Sequence, residues 1–369
     1  MTDDEKLYLI GLTDIKGVGD VLAHQLLQYF GSAKEVFKAT RAMLEKTPGI
    51  GACTADKIEQ ARTTALQRAE KELAFIEKNR IILYAITDDN YPRRLKECVD
   101  APVVFYYRGP ADLNAAKIIS IVGTRRMTDY GRKLTELFVK ELADMFPKLV
   151  IVSGLAYGVD VCAHRQALRN SLPTVCVLAH GFDRIYPSAH RTVATELLDR
   201  GGILTEFMSG TNPDRENFLQ RNRLIAGLAD ATIIVESAMK GGALVTADIA
   251  FSYGRDVFAF PGRTTDEFSL GCNRLIQMNK AGLISSAKDF VLSLCWDADT
   301  QPSAQPSLFS LAEKPDHPII RLLQEQGEFH VNRLAIEMDT PVHKLTSMLF
   351  ELEMEGHIKA FPGGIYKLT

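Results

Sequence analysis

From about residue 117 the chain alternates short apolar runs with amphipathic stretches. KIISIV, LVIV, PTVCVLAH, GILTE, ATIIVE and DVFAF are the apolar runs. Each has strand length, and stretches of helical periodicity separate most of them. Continuous rather than alternating apolar character marks strands buried on both faces. The pattern therefore predicts an α/β domain built on a parallel sheet with helices on both sides. Two further strand-like runs precede it, residues 81–86 (IILYAI) and 103–107 (VVFYY), joined by the turn material DDNYPRRLKECVDAP.

The flanks read differently. Residues 1–75 are helical and contain Gly17-Val18-Gly19 and Pro48-Gly49-Ile50-Gly51, each followed by a helix-like stretch. This is the pattern of a helix-hairpin-helix (SAM-like) pair. A Gly-x-Gly turn opening a helix can hold a DNA phosphate on bare amides. Asp20, Cys53 and Thr54 follow these turns without a strong cation, so tight packing turns account for them equally well. Residues 297–316 hold three prolines and little periodicity, which reads as a linker. Residues 317–369 read as a winged helix: HPIIRLLQEQ, then the pair VNRLAIEM and PVHKLTSMLFELEMEG, then the wing HIKAFPGGIYKLT. The expected domains are thus 1–75, 76–296 and 317–369, with the linker between the last two.

Composition narrows the classes. A chain of 369 residues suits two or three domains. No apolar run reaches the ~18–20 residues that span a bilayer, and the acidic start MTDDEKLYLI lacks a secretion signal. Six scattered cysteines without a C-x-x-C pair suit a reducing cytoplasm. The net charge of −3 means that a nucleic-acid binder must concentrate its positive charge locally.

In parallel sheets, ligands bind beyond the C-terminal strand ends. The first strand ends in Gly123-Thr124-Arg125-Arg126, with Arg132 and Lys133 soon after. The glycine permits close approach, the next helix offers unpaired amides, and the guanidinium forks suit phosphate. A generic turn with surface arginines would read the same. The second strand ends in Ser153-Gly154-Leu155-Ala156-Tyr157-Gly158-Val159-Asp160. This could form a second rim, with Tyr157 either stacking on a base or bracing the loop, and Asp160 placed to cap the next helix.

His164, His180 and His190 match no metal-ligand spacing, and His164 reads as packed on the helix after Asp160. Arg215, Arg221 and Arg223 put three cations into nine residues. Helical spacing there pairs Glu216 with Gln220 and Asn217 with Arg221. After ATIIVE, Lys240 stands beside Gly241 and Gly242 at another helix start. Four strand ends bearing glycines or cations exceed what packing alone requires.

These residues resemble the DNA-processing protein A family (DprA, or Smf). The resemblance rests on SIVGTRRMTDYG, VSGLAYGVDVCAHRQAL, IYPSAH, FLQRNRLIAGLAD, ESAMKGGALVTADIAFSYGRDVFAFPG and GCNRLIQMNKAGLI, in that order. It implies an extended Rossmann-like domain that binds single-stranded DNA and dimerises, with the recombinase RecA as partner in natural transformation. The family's Gly-Ser/Thr-Arg signature falls on Gly123, Thr124 and Arg125. Its R-N-R run falls on Arg221, Asn222 and Arg223, and its Gly-rich loop on Lys240, Gly241 and Gly242. Tyr157 stands where many members carry a basic residue.

The expected DNA site is therefore Gly123, Thr124, Arg125, Arg126, Ser153, Gly154, Tyr157, Tyr186, Arg221, Asn222, Arg223, Lys240, Gly241 and Gly242, with Tyr157, Phe182 and Tyr186 as stacking faces. No catalytic, metal or cofactor set is expected. The rival readings are a phosphoribohydrolase-like enzyme and a nucleotide sensor. A related fold in phosphoribohydrolases carries P-G-G-x-G-T-x-x-E, a pattern broken here at Lys240–Asp248. Asp183, Glu206, Glu236 and Asp248 are the carboxylates available for acid–base work, with capping and core hydrogen bonding as their alternative uses. From residue 317 onward, five basic side chains face seven acidic ones, and Glu351, Glu353 and Glu355 end the expected recognition helix. That balance points the winged helix toward a protein contact.

Overall fold

A computed structural model describes residues 2–296, 317–338, 340–354, 357–361 and 364–368. The expected linker 297–316 and Glu355 lie outside them. The chain divides into two compact units, Met1–Asp299 and Thr300–Thr369.

The first unit opens with α1 (Asp3–Asp14), α2 (Asp20–Phe30), α3 (Ala33–Lys38), α4 (Arg41–Leu44) and the long α5 (Ala52–Lys78), which crosses the expected boundary at 75. Gly19 and Gly51 stand at the N-caps of α2 and α5, so both Gly-x-Gly turns open helices as read. The apolar faces of these helices do not close on themselves. Leu12, Leu26, Val36 and Ile58 share one core with Leu83, Val104 and Tyr106 of the first two strands. Asp20 fixes that junction, because its carboxylate accepts the Val103 amide at 3.0 Å.

The sheet domain follows as β1 (Ile82–Ala85), α6 (Arg93–Lys96), β2 (Val104–Arg108), β3 (Ile118–Val122), α7 (Asp129–Met145), β4 (Val150–Ser153), α8 (Val159–Arg169), β5 (Thr174–Val177), α9 (Arg191–Arg200), β6 (Gly202–Thr205), α10 (Arg215–Gly227), β7 (Ala231–Ile234), α11 (Gly242–Ser252), β8 (Asp256–Ala259), α12 (Leu270–Gln277), β9 (Gly282–Leu283) and α13 (Ala287–Ser293). The nine strands lie in the order β1-β2-β6-β5-β4-β3-β7-β8-β9. From β6 to β9 all neighbours run parallel, while β2 meets β1 and β6 antiparallel. Strands β3 to β7 are wholly buried, which is why their sequences are apolar without alternation. Leu224, Ile225 and Leu228 from the α10 region cover one face, and Phe138, Leu142 and Phe290 from α7 and α13 cover the other.

The winding fixes where a ligand can sit. The parallel strands start in the middle at β3, move outward through β4, β5 and β6, then return to the other side of β3 as β7. The loops after β3 and β7 therefore diverge and leave a crevice at the strands' carboxyl ends, the topological switch point.

The second unit contains α14 (Pro318–Gln326), β10 (Glu328–His330), α15 (Val331–Glu337), α16 (Val342–Met354), β11 (Ile358–Phe361) and β12 (Ile365–Leu368). Its sheet order is β10-β12-β11, and Ile319, Leu323, Phe329, Leu334, Leu345 and Leu349 fill its core. This is the expected winged helix with one short strand, β10, added between the first two helices. The architecture read from the sequence, a Rossmann-like sheet domain flanked by helical hairpins and a winged helix, is the architecture present.

Candidate nucleic-acid interface

The switch-point crevice is a cleft of about 630 Å³. Its walls are the loop after β3, the start of α10 and the loop after β7. The Thr124 amide donates to the Glu236 carbonyl at 2.8 Å, which ties the first and last of these together. Beneath them, the Glu236 side chain accepts the Thr128 amide at 2.9 Å and the Thr128 hydroxyl, holding the entrance of α7. Close approach demands glycine at two points. A Cβ on Gly123 would lie 2.5 Å from Val159, and one on Gly158, whose φ is +80°, would lie 2.1 Å from the Thr124 carbonyl.

Arg125, Arg215 and Lys240 reach the cleft from its three walls. All three are exposed, and none has an ion-pair partner among the described residues. The backbone adds donors. Gly241 caps α11 without a side-chain hydrogen bond, and the Gly242 and Ala243 amides have no protein acceptor among the described residues. A Cβ on Gly241 would lie 2.2 Å from the Ser237 hydroxyl, which would have to turn away to admit it. Free amides at a helix start, with the positive end of the dipole behind them, suit an anion. Phe218 supplies a flat face in the same cleft; the Arg125 guanidinium lies 5.1 Å from its ring centre, and Tyr186 packs 6.0 Å away.

Of the expected residues, Gly123, Thr124, Arg125, Arg221, Asn222, Lys240, Gly241 and Gly242 line this cleft. Arg221, however, lies in its floor. It is buried, and its guanidinium donates to the Gly154 carbonyl at 2.8 Å and to the Val177 carbonyl. It therefore braces two strand-end loops, and Asn217 turns instead to the Asn212 carbonyl at 2.9 Å. Arg223 leaves the cleft altogether. It is buried between Asp20 at 2.8 Å, Glu206 and the Asp100 carbonyl, and so ties α2 to the sheet domain. Burial pushes the Glu206 carboxyl up to about 7, with Arg223 pulling against it; Gln220 also faces this carboxyl rather than Glu216.

Other expected residues have structural work. The Ser153 hydroxyl is buried on the Ile121 carbonyl at 2.6 Å. Gly154 makes room for Arg221, since a Cβ there would sit 2.3 Å from the guanidinium. Asp160 does not cap α8, because Gly158 holds the N-cap position. Its carboxylate is buried against the cleft floor, where desolvation raises its pKa while Arg221 and the Ala156 and Gly154 amides oppose the rise. Phe182 is half-buried and packed against two core clusters. Tyr186 is 47% exposed at the rim beside Phe218, and Tyr157, 50% exposed, lies with Arg126 in a neighbouring groove.

The three histidines serve the scaffold. His164 Nδ1 meets the Thr174 hydroxyl at 2.7 Å, and burial depresses its pKa to about 3. His180 Nε2 accepts the Tyr186 amide at 3.2 Å, and His190 Nδ1 lies 2.8 Å from the Leu155 carbonyl. The remaining acid–base candidates are also engaged: Asp183 with Arg184 and the Gly210 amide, and Asp248 with Lys280 at 2.6 Å.

Two cleft residues escaped the sequence reading as site members, Phe218 and Arg215. Residues 215, 218, 219 and 222 follow helical spacing, so one face of α10 was already written in the sequence. The adjoining set, 221, 224, 225 and 228, contains three apolar residues and marks the buried side of the helix, which includes Arg221.

Comparison with known proteins fits this geometry. The profile of DNA recombination-mediator protein A matches residues 80–294, a SAM-like helix-hairpin-helix tandem matches 9–61, and the DprA winged helix domain matches 299–364. Protein Smf of Synechocystis is 36% identical over 304 residues, covering 80% of this chain and 74% of the relative. The X-ray structure of DNA processing protein A from Streptococcus pneumoniae superposes with a TM-score of 0.66 at 31% identity, covering 79% of this chain and 98% of that one. A structure of DNA processing protein A from Helicobacter pylori, described for its single-stranded DNA binding mode, has a TM-score of 0.53 at 31% identity, covering 58% of this chain and 96% of that one. The fold, the order of its three modules and the glycine-bearing loops around the switch point together make this chain a member of the DNA recombination-mediator protein A family.

Proposed function

We propose that this protein binds single-stranded DNA in the switch-point cleft, protects incoming strands and loads the recombinase RecA onto them, working as a homodimer in natural transformation or recombination. The observation that carries the reading is the convergence of Arg125, Arg215, Lys240 and the free Gly242 and Ala243 amides on one cleft that also holds the Phe218 ring. Sequence-tolerant single-strand binding needs these two ingredients, a cationic track for phosphates and aromatic faces for bases. The H. pylori relative is described as binding single-stranded DNA, which agrees. Among described residues no helix is long and apolar enough to cross a membrane.

The exposed face of the winged helix supports a protein contact instead. Glu351 is exposed near the end of α16, where it would repel phosphates. Glu353 accepts the Ala360 amide at 2.9 Å and supports the wing.

One observation favours a second reading. A cleft of about 630 Å³ also has the size of a small-ligand site, so a mononucleotide sensor would use the same groups. Fluorescence anisotropy with single-stranded and duplex oligonucleotides, in the presence of nucleoside monophosphates, separates the two. The proposal expects preference for the single strand and no displacement by monophosphate at low micromolar levels. Displacement at that level would favour the sensor, and release of free base would favour the hydrolase.

A further inference from the structure

A second basic surface adjoins the cleft. A groove of about 460 Å³ runs between the loop after β3, α7 and α8, and Arg125 lines both the groove and the cleft. Arg126, Arg132, Arg165 and Arg169 line it further along, against a single carboxylate, Glu136. Glu136 accepts the Gln166 amide nitrogen at 3.1 Å, and so is engaged on its own side of the groove. Arg132 has only the exposed Asp129 at 3.9 Å, and Arg165 and Arg169 have no ion-pair partner among the described residues. In a chain of net charge −3 this is a marked local concentration.

The arrangement is unfavourable without an anion. Arg165 and Arg169 stand four residues apart on α8, where like charges repel. Both are exposed. At the same groove Tyr157 is half exposed, held edge-on by His190 with ring centres 4.8 Å apart.

We propose that a single strand leaving the cleft continues past Arg125 into this groove, where Arg126, Arg132, Arg165 and Arg169 hold further phosphates and Tyr157 stacks on a base. The inference rests on the single-strand reading of the cleft and extends the path beyond it. Cleft and groove together would then occupy a longer stretch of strand than the cleft alone.

The test is anisotropy with labelled oligo-dT of about six and about twenty nucleotides, one near the lower end of the range for a single-strand site and one beyond its upper end. Full-length wild type, R165E/R169E, the milder R165Q/R169Q and Arg125→Ala are compared across a salt series. Both double variants should weaken the long oligonucleotide, R165E/R169E at least tenfold, and reduce its salt slope by about 1.4, the value for two lost phosphate contacts on a single strand. The short oligonucleotide should stay within twofold. Arg125→Ala should weaken both lengths. Unchanged affinity and slope for the long oligonucleotide in both double variants would overturn the groove. Equal losses for both lengths would also overturn it, because the charges would then act as a general field rather than as contacts. If Arg125→Ala leaves both lengths unaffected while the double variants lose the long one, the cleft reading fails and the groove alone is the site.

Discussion

Arg125 and Arg223 carry the same side chain and read alike in the sequence, yet they do opposite work. Arg125 lies in the open, stacked on Phe218 and without a carboxylate partner. Arg223 is buried between Asp20 and Glu206, where it holds the helical hairpins against the sheet. A cation with its charge already satisfied by the protein has little left for a phosphate. A cation kept exposed and unpaired adds little to stability, and its value lies in what it can bind. The same contrast separates the two faces of α10: Arg215 and Phe218 face the cleft, while Arg221 braces the strand-end loops beneath it.

If the contrast is right, changes on the two sides should have separable effects. The largest is expected for Arg223→Ala. It leaves two largely buried carboxylates without their cation and should destabilise the fold by about 3–5 kcal/mol, read by chemical denaturation. The folded fraction should bind single-stranded DNA within twofold of wild type. A large affinity loss in the folded fraction would return Arg223 to the binding site.

His164 gives a pH signature of the buried side. Its folded pKa of about 3 lies below the unfolded value of 6.5. Between these values the unfolded chain binds the proton and the folded one does not, so stability falls as pH drops through this window. The contribution reaches about 1.4 kcal/mol per pH unit. His164→Asn keeps a donor for Thr174 and should flatten the profile below pH 6.5, as measured by denaturation at stepped pH. A profile parallel to wild type would contradict the buried neutral ring.

On the open side, Arg125→Ala should weaken single-strand binding at least tenfold, about 1.4 kcal/mol, with stability within about 0.5 kcal/mol of wild type. The smallest effect is expected for a chain truncated before residue 297. Without the winged helix, single-strand affinity should remain within twofold in anisotropy titrations, and a large loss would show that this domain holds the strand.

The sheet and its loops were legible because strands buried on both faces must be apolar throughout, and because glycines and cations recur where these strands end. Roles that depend on distant partners were not. Nothing near Arg223 in the sequence announces Asp20, 203 residues away. The Ser153 hydroxyl reads as a ligand until the Ile121 carbonyl is seen beside it. Arg221 and Phe218 are intermediate cases. The helical period of α10 groups Arg221 with Leu224 and Ile225, which turns it inward, and puts Phe218 at the border between that apolar side and the open one. Strand β10 was missed because three residues carry too little pattern to distinguish a strand from a turn.

The most direct test is the salt dependence of single-strand affinity for wild type and R125A/K240A. Binding by phosphate neutralisation requires log affinity to fall linearly with log salt, and each lost cation should flatten that slope by about 0.7. The account predicts a steep wild-type line and a variant that is weaker at low salt and shallower by about 1.4. Coincident lines, or a wild-type affinity indifferent to salt, would contradict it.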